Sequence, residues 1–119
     1  MGKEAHARTL FPEGAEVAVC DLSREPPEAV TRAPLVLNLQ EAVRTLLLRG
    51  ADVIPFFEER MERLKESVLV GDEIGGGVVP TDPFERRWRD ETGFLYQRLA
   101  REAETVDRVW AGLPMRLKG

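Results

Sequence analysis

Two carboxylates, three consecutive glycines and a group of arginines fall within one stretch of this 119-residue chain, Val68 to Asp90 (VLVGDEIGGGVVPTDPFERRWRD). Asp72 and Glu73 follow a β-branched run, Ser67 to Val70, that reads as a buried strand. Carboxylates at a strand end can hold a metal or orient a water. Gly75, Gly76 and Gly77 remove side chains from the next loop, so its backbone can take positive φ or approach a ligand closely. Asp82-Pro83-Phe84-Glu85 then opens a helix, with Asp82 as N-cap, Pro83 at the first position and Glu85 at capping-box spacing. Arg86 and Arg89 lie in its first turns, three apart and on one face, and Asp90 stands four after Arg86. This set suits an anionic, phosphate-bearing ligand at the edge of an α/β sheet. The same residues also fit a plain turn followed by a solvated helix face with a weak Arg86–Asp90 pair.

The elements that must position these groups alternate. Gly2 to Leu10 can be helical, and Pro12-Glu13-Gly14 ends it. Glu16 to Cys20 is a strand candidate, and Asp21 to Ala33 a polar connection with room for one helical turn. Leu35-Val36-Leu37 is a second buried strand. Leu39, Val43, Leu46 and Leu47 share one helical face, closed by Gly50. Phe57, Met61 and Leu64 repeat that spacing on a helix starting near Pro55, where Glu59 and Arg63 could pair. The helix from Pro83 runs to about Glu104, with Phe84 and Trp88 on one stripe and Leu95, Leu99 and Ala103 on another. Gly93, mid-helix at a cost of up to ~1 kcal/mol against alanine, implies close packing or a kink. Val106 to Ala111 reads as a strand, Gly112-Leu113-Pro114 as a turn, and Met115 to Lys118 as an edge strand. The expected fold class is α/β, with a mainly parallel sheet and a C-terminal hairpin.

Composition narrows the function. The length suits a single domain over residues 1–119 with one modest core. An apolar fraction of 43% is ordinary for a globular chain, and a net charge of -4 argues against nucleic acid as partner. The lone Cys20 excludes an internal disulfide and fits a reducing cytoplasm, and no apolar run is long enough to cross a membrane. No residues stand out as dedicated metal ligands.

Three strings carry a resemblance. DEIGGGVVP, ERRWRDETGFLYQRLA and GLPMRLK resemble the C-terminal half of the adenosylcobinamide kinase/adenosylcobinamide-phosphate guanylyltransferase family of cobalamin biosynthesis, without a gap from about Val68 to Lys118. That family typically reads NEVGxGIVP, RxFRDxxGxxNQxLA and a closing GxPxxxK-like hairpin. Glu73, Arg86, Arg89, Asp90, Gly93 and Gln97 match it; Tyr96 replaces an asparagine. The resemblance implies a three-layer, P-loop NTPase-like sheet of RecA-like order, a homo-oligomer such as a trimer, and ATP or GTP with Mg2+ as cofactor. It also implies nucleotide and the corrinoid adenosylcobinamide as partners, Arg86 and Arg89 as phosphate ligands, and Glu73 or Asp72 as the catalytic carboxylate.

Gly2 and Lys3 match the Gly-Lys of the family's GGxRSGKS-type phosphate loop, in which lysine reaches the phosphates. Glu4 stands where Ser or Thr would hold magnesium. Against this pattern the chain is N-terminally truncated, unless Met1 is a misassigned start. The segment bearing the GMP-accepting histidine has no counterpart, since only Arg24 to Ala33 separates Ser23 from the Pro34–Asn38 strand. His6 lies on the first helix, and Asn38 replaces the acidic residue at the second strand's end. Two functions follow: a compact transferase acting on the corrinoid side chain, or a catalytically degenerate member that binds or assembles. In either case incubation with labelled GTP should leave no labelled band on denaturing electrophoresis; a band that survives denaturation would contradict the missing histidine.

Overall fold

The computed structural model describes residues 2–74, 81–110 and 112–119. Its centre is a parallel sheet of β1 (Val19–Asp21), β2 (Leu35–Leu37) and β3 (Val68–Leu69), in that order, with Cys20 opposite Val36 and Val36 opposite Leu69. Successive side chains of a strand point to opposite faces. Val36 and Cys20 therefore join one apolar cluster, while Leu35 and Leu37 join another with Ala7, Phe11, Val17, Val19, Val68 and Val70. A strand buried on both faces reads as a continuous apolar run, and Leu35-Val36-Leu37 is one. β1 begins later than Glu16, because Val17 packs against the sheet without joining its ladder.

Helix α1 (Lys3–Arg8) covers the Leu35/Leu37 face through Ala7. The opposite face carries α2 (Leu39–Leu48), α3 (Val53–Glu58), α4 (Met61–Leu64) and α5 (Pro83–Glu102). The β1–β2 connection contains the expected single turn, a 3₁₀ segment at Pro27–Thr31. α2 ends in a Schellman motif: Gly50, at φ 70°, donates to the Leu47 carbonyl and Ala51 to that of Leu46.

The single helix expected after Pro55 is two helices. It begins earlier, at Val53, where proline is tolerated because first-turn N–H groups lack partners anyway. It breaks at Arg60. The Arg60 guanidinium takes the Phe56 carbonyl at 2.8 Å and stacks on the Phe56 ring, so the Arg60 amide turns to Phe57 instead. The break misaligns Glu59 and Arg63, and Glu59 lies near Arg60.

Asp82 caps α5 by accepting from the Phe84 amide at 2.7 Å. The reciprocal half of the capping box is not what Glu85 does; its carboxylate faces Arg44 at 3.7 Å. Arg44 in turn lies over the Phe84 and Trp88 rings. Gly93 neither packs closely nor fills a crowded site: it is exposed, and a Cβ there would meet nothing within 4 Å. β4 (Val106–Trp110) and β5 (Leu113–Lys118) form an antiparallel hairpin. Trp110 pairs with Leu113 and Val109 with Pro114, so Leu113 and Pro114 belong to β5 rather than to the turn, and Gly112 has a positive φ of 79°.

Phe57 is fully buried where α3 meets the main cluster. Phe57→Ala should destabilise the fold by about 3–5 kcal/mol, read as a lower midpoint in urea denaturation; a loss below about 1 kcal/mol would contradict this packing.

Candidate active site at the carboxyl edge of the sheet

Ligands of open α/β sheets bind beyond the carboxyl ends of the strands. Here those ends carry Asp21, Asn38 and Asp72, joined by hydrogen bonds. The Asn38 amide donates to Asp21 Oδ1 at 2.8 Å, and Asp21 also accepts from the amide and hydroxyl of Ser23. Gln40 Nε2 donates to Asn38 Oδ1, while Gln40 Oε1 accepts from the Asp72 amide at 2.9 Å. The Gln40 carbonyl accepts from Trp88 Nε1 at 2.8 Å. Asn38 itself is left-handed, at φ 64° and ψ 50°, which turns the chain from β2 into α2. Asparagine tolerates that conformation better than most residues.

Charge is added from outside the sheet. Lys3 Nζ lies 3.1 Å from Asp72 Oδ1, and Arg108 of β4 lies 3.1 Å from Glu73 Oε2. The Tyr96 hydroxyl donates to the Asp72 carbonyl at 2.7 Å. The start of α1 is seated on the hairpin: Gly2, at φ 83°, lies so close to Gly112 that a Cβ would meet its Cα at 3.0 Å. His6 Nε2 and Asp107 Oδ2 are 2.7 Å apart, and Arg116 binds the same carboxylate. Arg116, first, and His6 hold the Asp107 carboxyl below the usual range. Among the described residues, no group of three or more His, Cys, Asp or Glu could hold a metal ion.

Residues 38–117 match the model of the family described as cobinamide kinase / cobinamide phosphate guanyltransferase, CobU. The chain belongs to this family. It is 50% identical over 52 residues to the bifunctional adenosylcobalamin biosynthesis protein CobP of Pseudomonas aeruginosa, a match covering 44% of this chain and 30% of that protein. It is 41% identical over 51 residues to the bifunctional adenosylcobalamin biosynthesis protein CobU of Salmonella typhimurium, covering 43% of this chain and 28% of the relative. The chain thus spans about 30% of the length of the curated relatives it matches.

Of the residues singled out in the sequence, the structure brings Lys3 to Asp72 and leaves Gly2 against the hairpin turn. Arg89 turns to its neighbour Asp90 at 3.0 Å, so the Arg86–Asp90 pair of the plain-helix-face alternative is not made, and Glu73 meets Arg108 rather than either helix arginine. Arg86 is exposed and makes no ion pair among the described residues. Gly75, Gly76 and Gly77 lie outside the described residues. Glu4 pairs with Arg8 four residues on, at 3.0 Å. Gln40 and Arg108 carry no motif or periodicity that marks them, and Tyr96 stands out only as a departure from the family string; their distant partners disclose their roles.

Asp21 tests this edge. Its hydrogen bond from Asn38, and then those from Ser23, hold its carboxyl below the usual value against the opposing effect of burial. A depressed folded pKa adds stability that is present above the unfolded value of ~3.9 and is lost as pH falls through the folded value. Asn38→Gly keeps the left-handed backbone and removes the amide. NMR titration should then show the Asp21 carboxyl rising towards ~3.9, with less of the variant's stability lost between neutral and acid pH than in wild type. An unchanged Asp21 titration would exclude this bond as its cause.

Proposed function

We propose that this chain serves adenosylcobalamin biosynthesis as a nucleotide-dependent transferase acting on the corrinoid side chain, with ATP or GTP as donor and adenosylcobinamide as acceptor. Membership in the family supports the substrate class. The observation that carries the site is the Lys3–Asp72 contact: a lysine at the start of the chain and a carboxylate at the end of β3 meet at the carboxyl edge of a parallel sheet. Lysine is a mobile point charge suited to phosphate, and Asp72 and Glu73 are exposed beside it.

The residues present fit a magnesium nucleotide in one particular way. Mg2+ is commonly held by one or two carboxylates plus substrate phosphates rather than by an all-protein cage. Asp72 or Glu73 would provide the carboxylate, and Lys3 the phosphate contact. Arg86 and Arg89 add positive charge from α5 in this reading. When bound, the metal would neutralise charge on the transferring phosphate. Pairing with Arg8 keeps Glu4 from presenting a bare carboxylate there. Phosphoryl transfer is favoured over guanylyl transfer, because the sole histidine, His6, is engaged with Asp107. The larger fold in this reading is RecA-like, one family domain, working in the cytoplasm.

A second reading, a binding or assembly protein, draws on β5. Leu113 and Met115 share one face of that strand, and with Leu117, at the bulge, they are 73%, 54% and 58% exposed. Alternating apolar residues on an uncovered edge invite association. A homotrimer would serve either reading.

Calorimetry with ATP and GTP in Mg2+ tests the transferase. Wild type should bind one of them, and Lys3→Ala should weaken binding at least about tenfold, or about 1.4 kcal/mol, with little change in melting temperature. No heat from either nucleotide or from adenosylcobinamide phosphate, together with a trimer mass by light scattering, would leave the assembly reading in its place.

A further inference from the structure

We propose that Tyr96, acting with Gln40, is the positioning residue of the Asp72–Glu73 turn, holding both backbone polar groups of Asp72 so that its carboxylate is presented to Lys3 and to bound phosphate. The bound-phosphate clause rests on the function proposed above; the clamp itself does not. The Tyr96 hydroxyl donates to the Asp72 carbonyl at 2.7 Å, and the Asp72 amide donates to Gln40 Oε1 at 2.9 Å. The root of the side chain is thereby held from two directions, while the carboxylate remains 56% exposed and reaches Lys3.

Tyr96 also explains a glycine. A Cβ on Gly71 would stand 2.2 Å from the Tyr96 hydroxyl oxygen and 2.8 Å from Cζ. Gly71 and Tyr96 are thus a matched pair, in which the phenol occupies the volume a side chain at 71 would need. Helix α5 carries the donor rigidly. Trp88 and Tyr96 are eight residues apart, about 12 Å along the axis, and grip the Gln40 and Asp72 carbonyls respectively. Burial first, then the charges of Asp72 and Glu73, push the phenol well above its ordinary pKa, so it stays a donor over the physiological range.

The test uses the whole chain with Tyr96→Phe, Gly71→Ala and the double variant Gly71→Ala/Tyr96→Asn. Tyr96→Phe should speed hydrogen exchange of the Asp72 amide by about tenfold and weaken Mg-ATP binding by about fivefold, with melting little changed. The double variant should be more stable than Gly71→Ala alone, since asparagine vacates the space. Unchanged Asp72 exchange in Tyr96→Phe, or equal tolerance of alanine at 71 with and without the phenol, overturns the clamp. If wild type binds no nucleotide, the proposed function fails, and the exchange and double-variant results still decide the clamp.

Discussion

A buried carboxamide governs how the carboxyl edge of this sheet is built. Gln40 is only 6% exposed. A polar group taken from water without partners costs on the order of 1–3 kcal/mol in proteins. Two groups from different elements meet that demand, the Asn38 side-chain oxygen after β2 and the Asp72 backbone amide after β3, while the Gln40 backbone carbonyl accepts from Trp88 on α5. The bonds therefore do more than satisfy Gln40. They set the height of the β3 terminus relative to β2, and they fix α5 against α2. Removing the Asn38 side chain takes this partner from the buried carboxamide nitrogen, which is a larger loss than the bond itself.

The short strands make such joints necessary. β3 has two residues in its ladder with β2, and β1 has three. Ladders this short do not by themselves aim a side chain at a strand end. Apolar burial on both faces of β2 supplies the mass of the fold, but it is non-directional. Direction comes from polar contacts at the edges. On the α1 side, His6 and Arg116 converge on Asp107, and Gly2 approaches Gly112. These contacts hold α1 and the β4–β5 hairpin together and so place Lys3 near Asp72. The geometry of the edge is thus a product of two seams, one through Gln40 and one through Asp107.

This division also decides what the sequence could reveal. β2, the α2 stripe ending at Gly50 and the Asp82 cap of α5 depend on local spacing and local backbone chemistry, and all three were legible. The Arg60 break was not, because a helix-period pattern does not register a side chain that competes for its own helix carbonyl. Close packing at Gly93 is not found, and the sequence could not disclose this for a related reason: an exposed glycine and a close-packed one look alike in sequence. At the site, Asp72, Glu73 and Lys3 were visible by residue type and by family strings. Their partners were not. Gln40 lies 32 positions from Asp72, Tyr96 lies 24 from it, and Arg108 lies 35 from Glu73. A polar residue that satisfies a distant backbone group follows no period, so only the assembled fold discloses it.

The strengths of these contacts differ in a way that matters for phosphate chemistry. A lysine that is to meet an incoming phosphate must leave whatever holds it in the free protein. The Lys3–Asp72 pair lies at the surface, with Asp72 56% exposed, where such pairs contribute at most about 1 kcal/mol. Exchanging this partner for a phosphate is therefore cheap. The backbone of Asp72, by contrast, is held by a half-buried phenol and a buried carboxamide, which do not have to move. A weak ionic contact in front of a rigid neutral support keeps the lysine close to its working position without trapping it. Had the two been reversed, with a buried ion pair on a loosely held turn, breaking the pair would cost several kcal/mol and the carboxylate would lose its aim.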